Sequence, residues 1–219
     1  MNFSFSEAVN SQNNVRAQLT GDMIHEVTFD GCEARDFDST QNPGQKFHVL
    51  EIKFSNKDGQ FTHTVWEPKA EDFEDRQGAF GAQPSNVAVM VYLFKHLLDA
   101  VNPEASAKIN KGELKMEVTP NNWDSVRKFM VEQTEAGKGT ETKIKLVKKN
   151  NGDAMFPYFL NYNREGKLYM STNFIGNNIF FTTKELQKIS RAQAAKPTVQ
   201  SVEVPSNNTN SDFDEDIEL

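Results

Sequence analysis

Residues 46–66 constrain the fold most: KFHVLEIKF leads through Ser55-Asn56-Lys57-Asp58-Gly59 into QFTHTVW. Two runs rich in β-branched and aromatic residues, joined through Asp-Gly, predict an antiparallel β-hairpin. Side chains alternate between faces along a strand, so His48, Leu50, Ile52 and Phe54 share one side, and Phe47, Val49, Glu51 and Lys53 the other. The side carrying Leu50, Ile52 and Phe54 is the expected core face. Phe47, Lys53 and, at the end of the return strand, Trp66 are then left on a half-exposed face.

The flanking segments set the architecture around this hairpin. A short strand is expected from Met23 to Phe29, ended by a turn at Asp30-Gly31, and STQNPGQ (39–45) reads as a loop. Residues 67–84 form an acidic connector. Ser85 and Asn86 are good caps for the apolar helix 87–101, which Asn102-Pro103 stops. ELKMEV (113–118) reads as a short strand, and Asn121 or Asn122 caps an amphipathic helix ending near Glu135, with Trp123 as a packing anchor in its first turn. From residue 143 the runs KIKLVKK, AMFPYFLNY, KLYMSTNFI and IFFT, separated by Asn/Gly turns, predict a β-meander followed by a terminal helix and Pro197. The expected fold is mainly β with helices (α+β): an OB-like antiparallel barrel with helical insertions over residues 1–196. Residues 197–219 are expected to be a disordered linker and acidic tail. An α+β sandwich would have the same order of elements.

Composition limits the function classes. The 219 residues carry a net charge of −7, which argues against a generic basic DNA coat, but the charge is unevenly placed. Residues 1–137 hold 13 Lys+Arg against 21 Asp+Glu, residues 138–196 hold 11 against 4, and residues 197–219 hold none against 6. A basic aromatic segment therefore sits just ahead of an acidic end, and the local field governs docking. No apolar run is long enough for a membrane span. MNFSFSEAVN lacks the features of a signal peptide, and the single cysteine, Cys32, cannot form an internal disulfide. A cytoplasmic protein is expected. No P-loop, dinucleotide fingerprint or zinc-ligand spacing occurs, so no cofactor or metal is expected.

Within the basic segment, Lys143, Lys145, Lys148, Lys149, Arg164 and Lys167 are interleaved with Tyr158, Tyr162 and Tyr169. Binding a single strand needs cations for phosphates and flat rings for bases. Alternation puts Lys143 and Lys145 on one strand face, and Tyr158 and Tyr162 together on one face of the next strand. Tyrosine tolerates half-exposure better than the neighbouring Phe156 and Phe159. With Phe47, Lys53 and Trp66, these residues form the candidate DNA-binding set; the competing reading puts the rings in the core and the lysines in solvent.

The last eight residues are Asp212-Phe213-Asp214-Glu215-Asp216-Ile217-Glu218-Leu219. Apolar groups among carboxylates after a polar linker have the form of a short docking motif. They resemble the tail of bacterial and phage single-stranded DNA-binding proteins, whose pattern is D-F-D-D-D-I-P-F. Asp212, Phe213, Asp214, Asp216 and Ile217 match identically and Glu215 conservatively, while Glu218 and Leu219 depart from the final Pro-Phe. The residue match covers this tail alone, and the arrangement of β-barrel-like body, linker and acidic end looks more like the phage replication type, which implies the host cytoplasm as its compartment. The resemblance implies a non-enzymatic protein that coats single-stranded DNA in replication or recombination and recruits partner proteins through residues 212–219.

Two other classes compete. Asp38, Glu51 and Lys53 have the order of a Mg²⁺-dependent nuclease, in which carboxylates hold metal and a lysine positions water. A structural or adaptor protein would use the tail without binding DNA. Oligomeric state is not legible in the sequence.

Overall fold

The computed structural model describes residues 17–78, 81–149, 152–157, 160–162, 168–170 and 174–194. The chain divides into two compact units, Met1–Phe181 and Thr182–Leu219.

The first unit is built on a curled, five-stranded antiparallel sheet. Its strands run β3-β2-β1-β6-β7, with β1 Met23–Asp38, β2 Lys46–Asn56, β3 Gly59–Trp66, β6 Glu141–Lys148 and β7 Ala154–Met155. The β2–β3 hairpin forms as the sequence predicts, with Val49 opposite Trp66 and Asn56 opposite Gly59. The Asn56 side-chain oxygen accepts from the backbone N–H groups of Asp58 and Gly59 at 2.8 and 3.1 Å, a local bond that favours the turn. Glycine is needed at 59 because the chain at Ala17 crosses this edge; a Cβ there would lie 2.2 Å from the Ala17 carbonyl oxygen.

β1 departs from expectation. Asp30-Gly31 does not end the strand; it forms a β-bulge within 16 continuous residues. Gly31 adopts φ +123°, and a Cβ there would strike the Lys138 side chain at 2.6 Å. A bulge bends and twists its strand, and here it lets β1 serve two neighbours. Thr28–Asp38 pairs with β2 and Met23–Thr28 with β6.

Helices α1 (Asn86–Val101), α2 (Pro103–Asn110) and α3 (Trp123–Glu135) lie between β3 and β6 in the chain. Ser85 caps α1, its hydroxyl accepting from the Ala88 N–H at 3.1 Å. Asn102-Pro103 ends α1 as expected, but it also starts α2. Asn102 accepts from Ala105 N–H with proline in the first turn, where the missing N–H has no cost. ELKMEV is not a strand. Leu114, Met116 and Val118 do alternate into the core, from backbone that joins no sheet. The inner face of the sheet (Phe29, Cys32, Leu50, Ile52, Phe54, Phe61, Ile144, Leu146) is buried together with Leu93, Phe94 and Leu98 of α1 and Trp123, Val126 and Met130 of α3. Phe156, after β7, packs on Phe61 and His63 of β3 at ring distances of 5.0 and 5.3 Å, so side chains bridge the two edges of the curl.

β4 (Arg76–Gly78) and β5 (Gly81–Gln83) form a short ladder in the connector, and β8 (Leu160–Tyr162) and β9 (Leu168–Met170) another. The expected strand at 179–182 is absent. In the second unit, α4 (Thr183–Ala194) begins with a capping box. The Thr182 N–H donates to the Glu185 carboxylate at 2.7 Å, and the Glu185 N–H donates to the Thr182 hydroxyl at 3.3 Å. Among the described residues, no helix is long and apolar enough to cross a membrane.

Candidate nucleic-acid interface

The outer face of β1–β2–β3 carries an aromatic cluster at one end and a charge ladder beside it. Register places Phe37 opposite Phe47, Arg35 opposite Val49, and Val49 opposite Trp66. The rings of Phe37, Phe47 and Trp66 form a triangle, with centroids 5.5 Å apart for Phe37–Phe47, 5.6 Å for Phe37–Trp66 and 5.4 Å for Phe47–Trp66. Both contacts to Trp66 are edge-on, at 79° and 88°. Phe37 is 40% and Trp66 52% exposed, far from the burial that large rings ordinarily reach. Beside them opens a cavity of about 440 Å³ lined by Phe47, Trp66, Pro68 and two exposed lysines, Lys46 and Lys69.

The rings are held from behind. Trp123, buried in the first turn of α3, donates its indole N–H to the His48 carbonyl at 2.9 Å. Arg127, one turn later, donates to the carbonyls of Arg35 and Val49 and to the Asp36 carboxylate. The helix thus grips β1 and β2 at residues adjacent in sequence to Phe37 and Phe47. The Asp36 carboxyl is held below its usual range chiefly by the Arg127 hydrogen bond, then by that from His48.

Along β2 from the rings, Glu51 lies opposite Glu33, and Lys53 opposite Gly31. Lys53 bonds the Glu33 carboxylate and lies 3.1 Å from Glu51, which also pairs with Arg35 at 3.1 Å. Lys53 is therefore on the outer face, as expected, but ion-paired there.

The other expected positions scatter. Lys145 is corrected: alternation gives its face, but the segment after β9 covers it. It is fully buried, donates to the Phe180 carbonyl at 3.1 Å and lies over the Phe181 ring, where it cannot meet phosphate. Lys143 pairs with Glu26 at 3.3 Å, beyond the bulge and about 35 Å along β1 from Phe37 at ~3.3 Å per residue. Lys148 and Lys149 are exposed at the β6–β7 turn. Tyr162 and Tyr169 lie on the β8–β9 hairpin, opposite Leu168 and Asn161. Tyr158, Arg164, Lys167 and residues 212–219 lie outside the described residues. Phe37, Lys46 and Lys69 were missed; reading β1 through the bulge would have revealed Phe37.

The nuclease constellation does not assemble. Asp38 pairs with Lys46 one register step beyond Phe37, so it lies on the opposite face of the sheet from Glu51. Among the described residues, no group of three His, Cys, Asp or Glu could hold a metal ion. His48 bonds Asp36 at 2.9 Å, and His63 lies opposite Ile52. Burial pushes the Cys32 thiol up to about 12, which leaves it a poor nucleophile at neutral pH.

No family model, curated protein or solved structure matches the chain.

Proposed function

We propose that this protein binds single-stranded DNA across the outer face of β1–β2–β3. The exposed triangle of Phe37, Phe47 and Trp66 beside Lys46 and Lys69 carries this reading. Three rings held rigidly at a strand end, with cations within reach, suit bases that stack while phosphates are neutralised. Rings that served only to pack would be covered. An OB-like barrel is the finer fold proposed: the sheet runs third-second-first-fourth-fifth, with helices between its third and fourth strands, and OB folds bind oligonucleotides on the face of strands two and three. The acidic segment 212–219 is proposed to recruit replication or recombination proteins, and phage DNA replication is the proposed setting.

A fluorescence titration with oligo-dT, in Mg²⁺ and at two salt concentrations, tests the reading. Trp66 is the exposed indole of the two in the chain, so quenching should be lost in Trp66→Phe while that variant still binds by polarisation. Single strands should bind more tightly than duplex, and affinity should fall as salt rises. Equal affinity for duplex and single strand would overturn stacking, and Mg²⁺-dependent cleavage would favour the nuclease.

A further inference from the structure

The charge ladder beside the rings has an unusual composition for a face that meets phosphate. Glu33 and Glu51 stand directly opposite each other, an arrangement that costs stability unless cations bridge it. Lys53 does so by contacting both carboxylates, Arg35 adds a pair with Glu51, and the four side chains together carry no net charge. Their exposures differ in a useful way. The Glu51 side chain is 14% exposed, wedged between Arg35 and Lys53, whereas the Glu33 side chain is 55% exposed and Lys53 32%. Glu51 is thus the inner, fixed partner of Lys53, and Glu33 the outer one. The Glu33 carboxyl is held below its usual range, first by the Lys53 hydrogen bond, so it remains an anion wherever DNA would be bound.

Resting on the DNA-binding reading above, we propose that Glu33 acts as a built-in competitor for phosphate. A strand leaving the aromatic rings along β2 reaches Lys53 after six residues, about 20 Å at ~3.3 Å per residue, a distance spanned by a few nucleotides. There its phosphate exchanges with the Glu33 carboxylate on Lys53, while Glu51 keeps the ammonium in place. Exchange of one anion for another adds little net electrostatic attraction, so Glu33 lowers affinity and flattens the salt dependence. Specificity then rests on the rings, and a polyanion that cannot stack gains little on this face.

The test compares oligo-dT binding by wild type, Glu33→Gln, Lys53→Met, the double variant and Glu132→Gln across a salt series. Glu132, an exposed acid on α3, controls for loss of one negative charge. Glu33→Gln should bind three- to ten-fold more tightly at low salt. The slope of log affinity against log salt should steepen by ~0.7, the value for one further phosphate contact on a single strand. Glu132→Gln should leave the slope unchanged, and Lys53→Met should abolish the gain made by Glu33→Gln. If wild type binds with the expected dependence on Trp66, yet Glu33→Gln matches wild type or Glu132→Gln, the competitor role falls and the binding face stands. Absence of oligo-dT binding by every variant overturns both.

Discussion

Arg127 on α3 donates to the Asp36 carboxylate on β1 at 2.6 Å, and Asp36 is the residue next to Phe37. The same guanidinium reaches the carbonyls of Arg35 and Val49 and the carboxylate of Asp124. A buried fork that bonds groups on two strands and its own helix cannot be removed without losing several hydrogen bonds made by a charged group, at ~1.5–3 kcal/mol for each. Arg127→Met should therefore lower stability by about 2–4 kcal/mol in urea unfolding. Arg127→Lys should recover only part of this, because an ammonium lacks the planar fork. Asp36 supplies a pH signature. Its depressed carboxyl favours the fold above the ordinary carboxylate range, and that benefit is lost as pH falls through the folded value. Arg127→Met should shrink this acid-dependent part. Equal stability of wild type and Arg127→Met would refute the clamp.

The rings themselves should behave in the opposite way. Phe37 and Trp66 are exposed, so Phe37→Ala and Trp66→Ala should change the melting temperature little. Each should weaken oligo-dT binding by ~1–3 kcal/mol if its ring stacks on a base. Because the rings touch one another, their losses should not add. Trp123→Phe should reverse the pattern: an indole that is 3% exposed and bonded to the His48 carbonyl contributes to stability first. A Trp66→Ala protein that melts much earlier yet binds normally would return that ring to a packing role.

How much of this was legible in sequence varies by element, for physical reasons. The β2–β3 hairpin was legible in detail, since period-two patterning and turn chemistry are local, and the half-exposed face of Phe47, Lys53 and Trp66 followed from them. β1 was not, because Asp-Gly supports a turn or a bulge equally well, and only pairing with β2 on both sides of Gly31 decides between them. That misreading hid Phe37. The cap and proline that open α2 stood in plain view at Asn102-Pro103, where the stop signal of one helix is also the start signal of the next. Lys145 shows the limit of alternation: it assigns a face, but Phe180 and Phe181, 35 residues on, decide whether that face sees solvent.

His63 predicts a further pH dependence. Its ring sits against Phe61 and Phe156, and burial first, then the charge of Lys149, pushes it down to about 4. Above about pH 6.5, the ordinary histidine value, the ring is neutral in both states and contributes no pH dependence. As pH falls from 6.5 towards 4, the unfolded chain takes up a proton that the folded ring refuses, so stability declines. The loss should reach on the order of 2–3 kcal/mol near pH 4, at ~1.4 kcal/mol per pKa unit. His63→Phe keeps the shape and removes the titration, so its stability profile should be flatter between pH 6.5 and 4. Parallel profiles for the two proteins would show that the proton is taken up elsewhere.

The acidic segment supplies the last prediction, and the burial of Lys145 changes its target. Residues 212–219 carry five acidic side chains in eight positions, after 15 mostly polar residues at 197–211. The composition of 197–211 predicts a flexible linker, and at ~5–6 Å × √n such a linker spans roughly 20 Å. A tethered polyanion of this reach has an effective concentration near millimolar, and among the described residues Lys46, Lys148 and Lys149 are exposed cations that it could meet. Deleting residues 212–219 should therefore tighten oligo-dT binding at low salt, with a gain that shrinks as screening grows. The deletion should also abolish capture of replication partners, because Phe213, Ile217 and Leu219 are the apolar groups of the proposed docking motif. Phe213→Ala separates the two roles, since it removes a ring and no charge: partner capture should weaken while DNA affinity stays within two-fold of wild type. Unchanged DNA affinity and unchanged partner capture in the deletion would reduce the segment to a solubilising appendage and remove the resemblance in the tail as support for DNA binding.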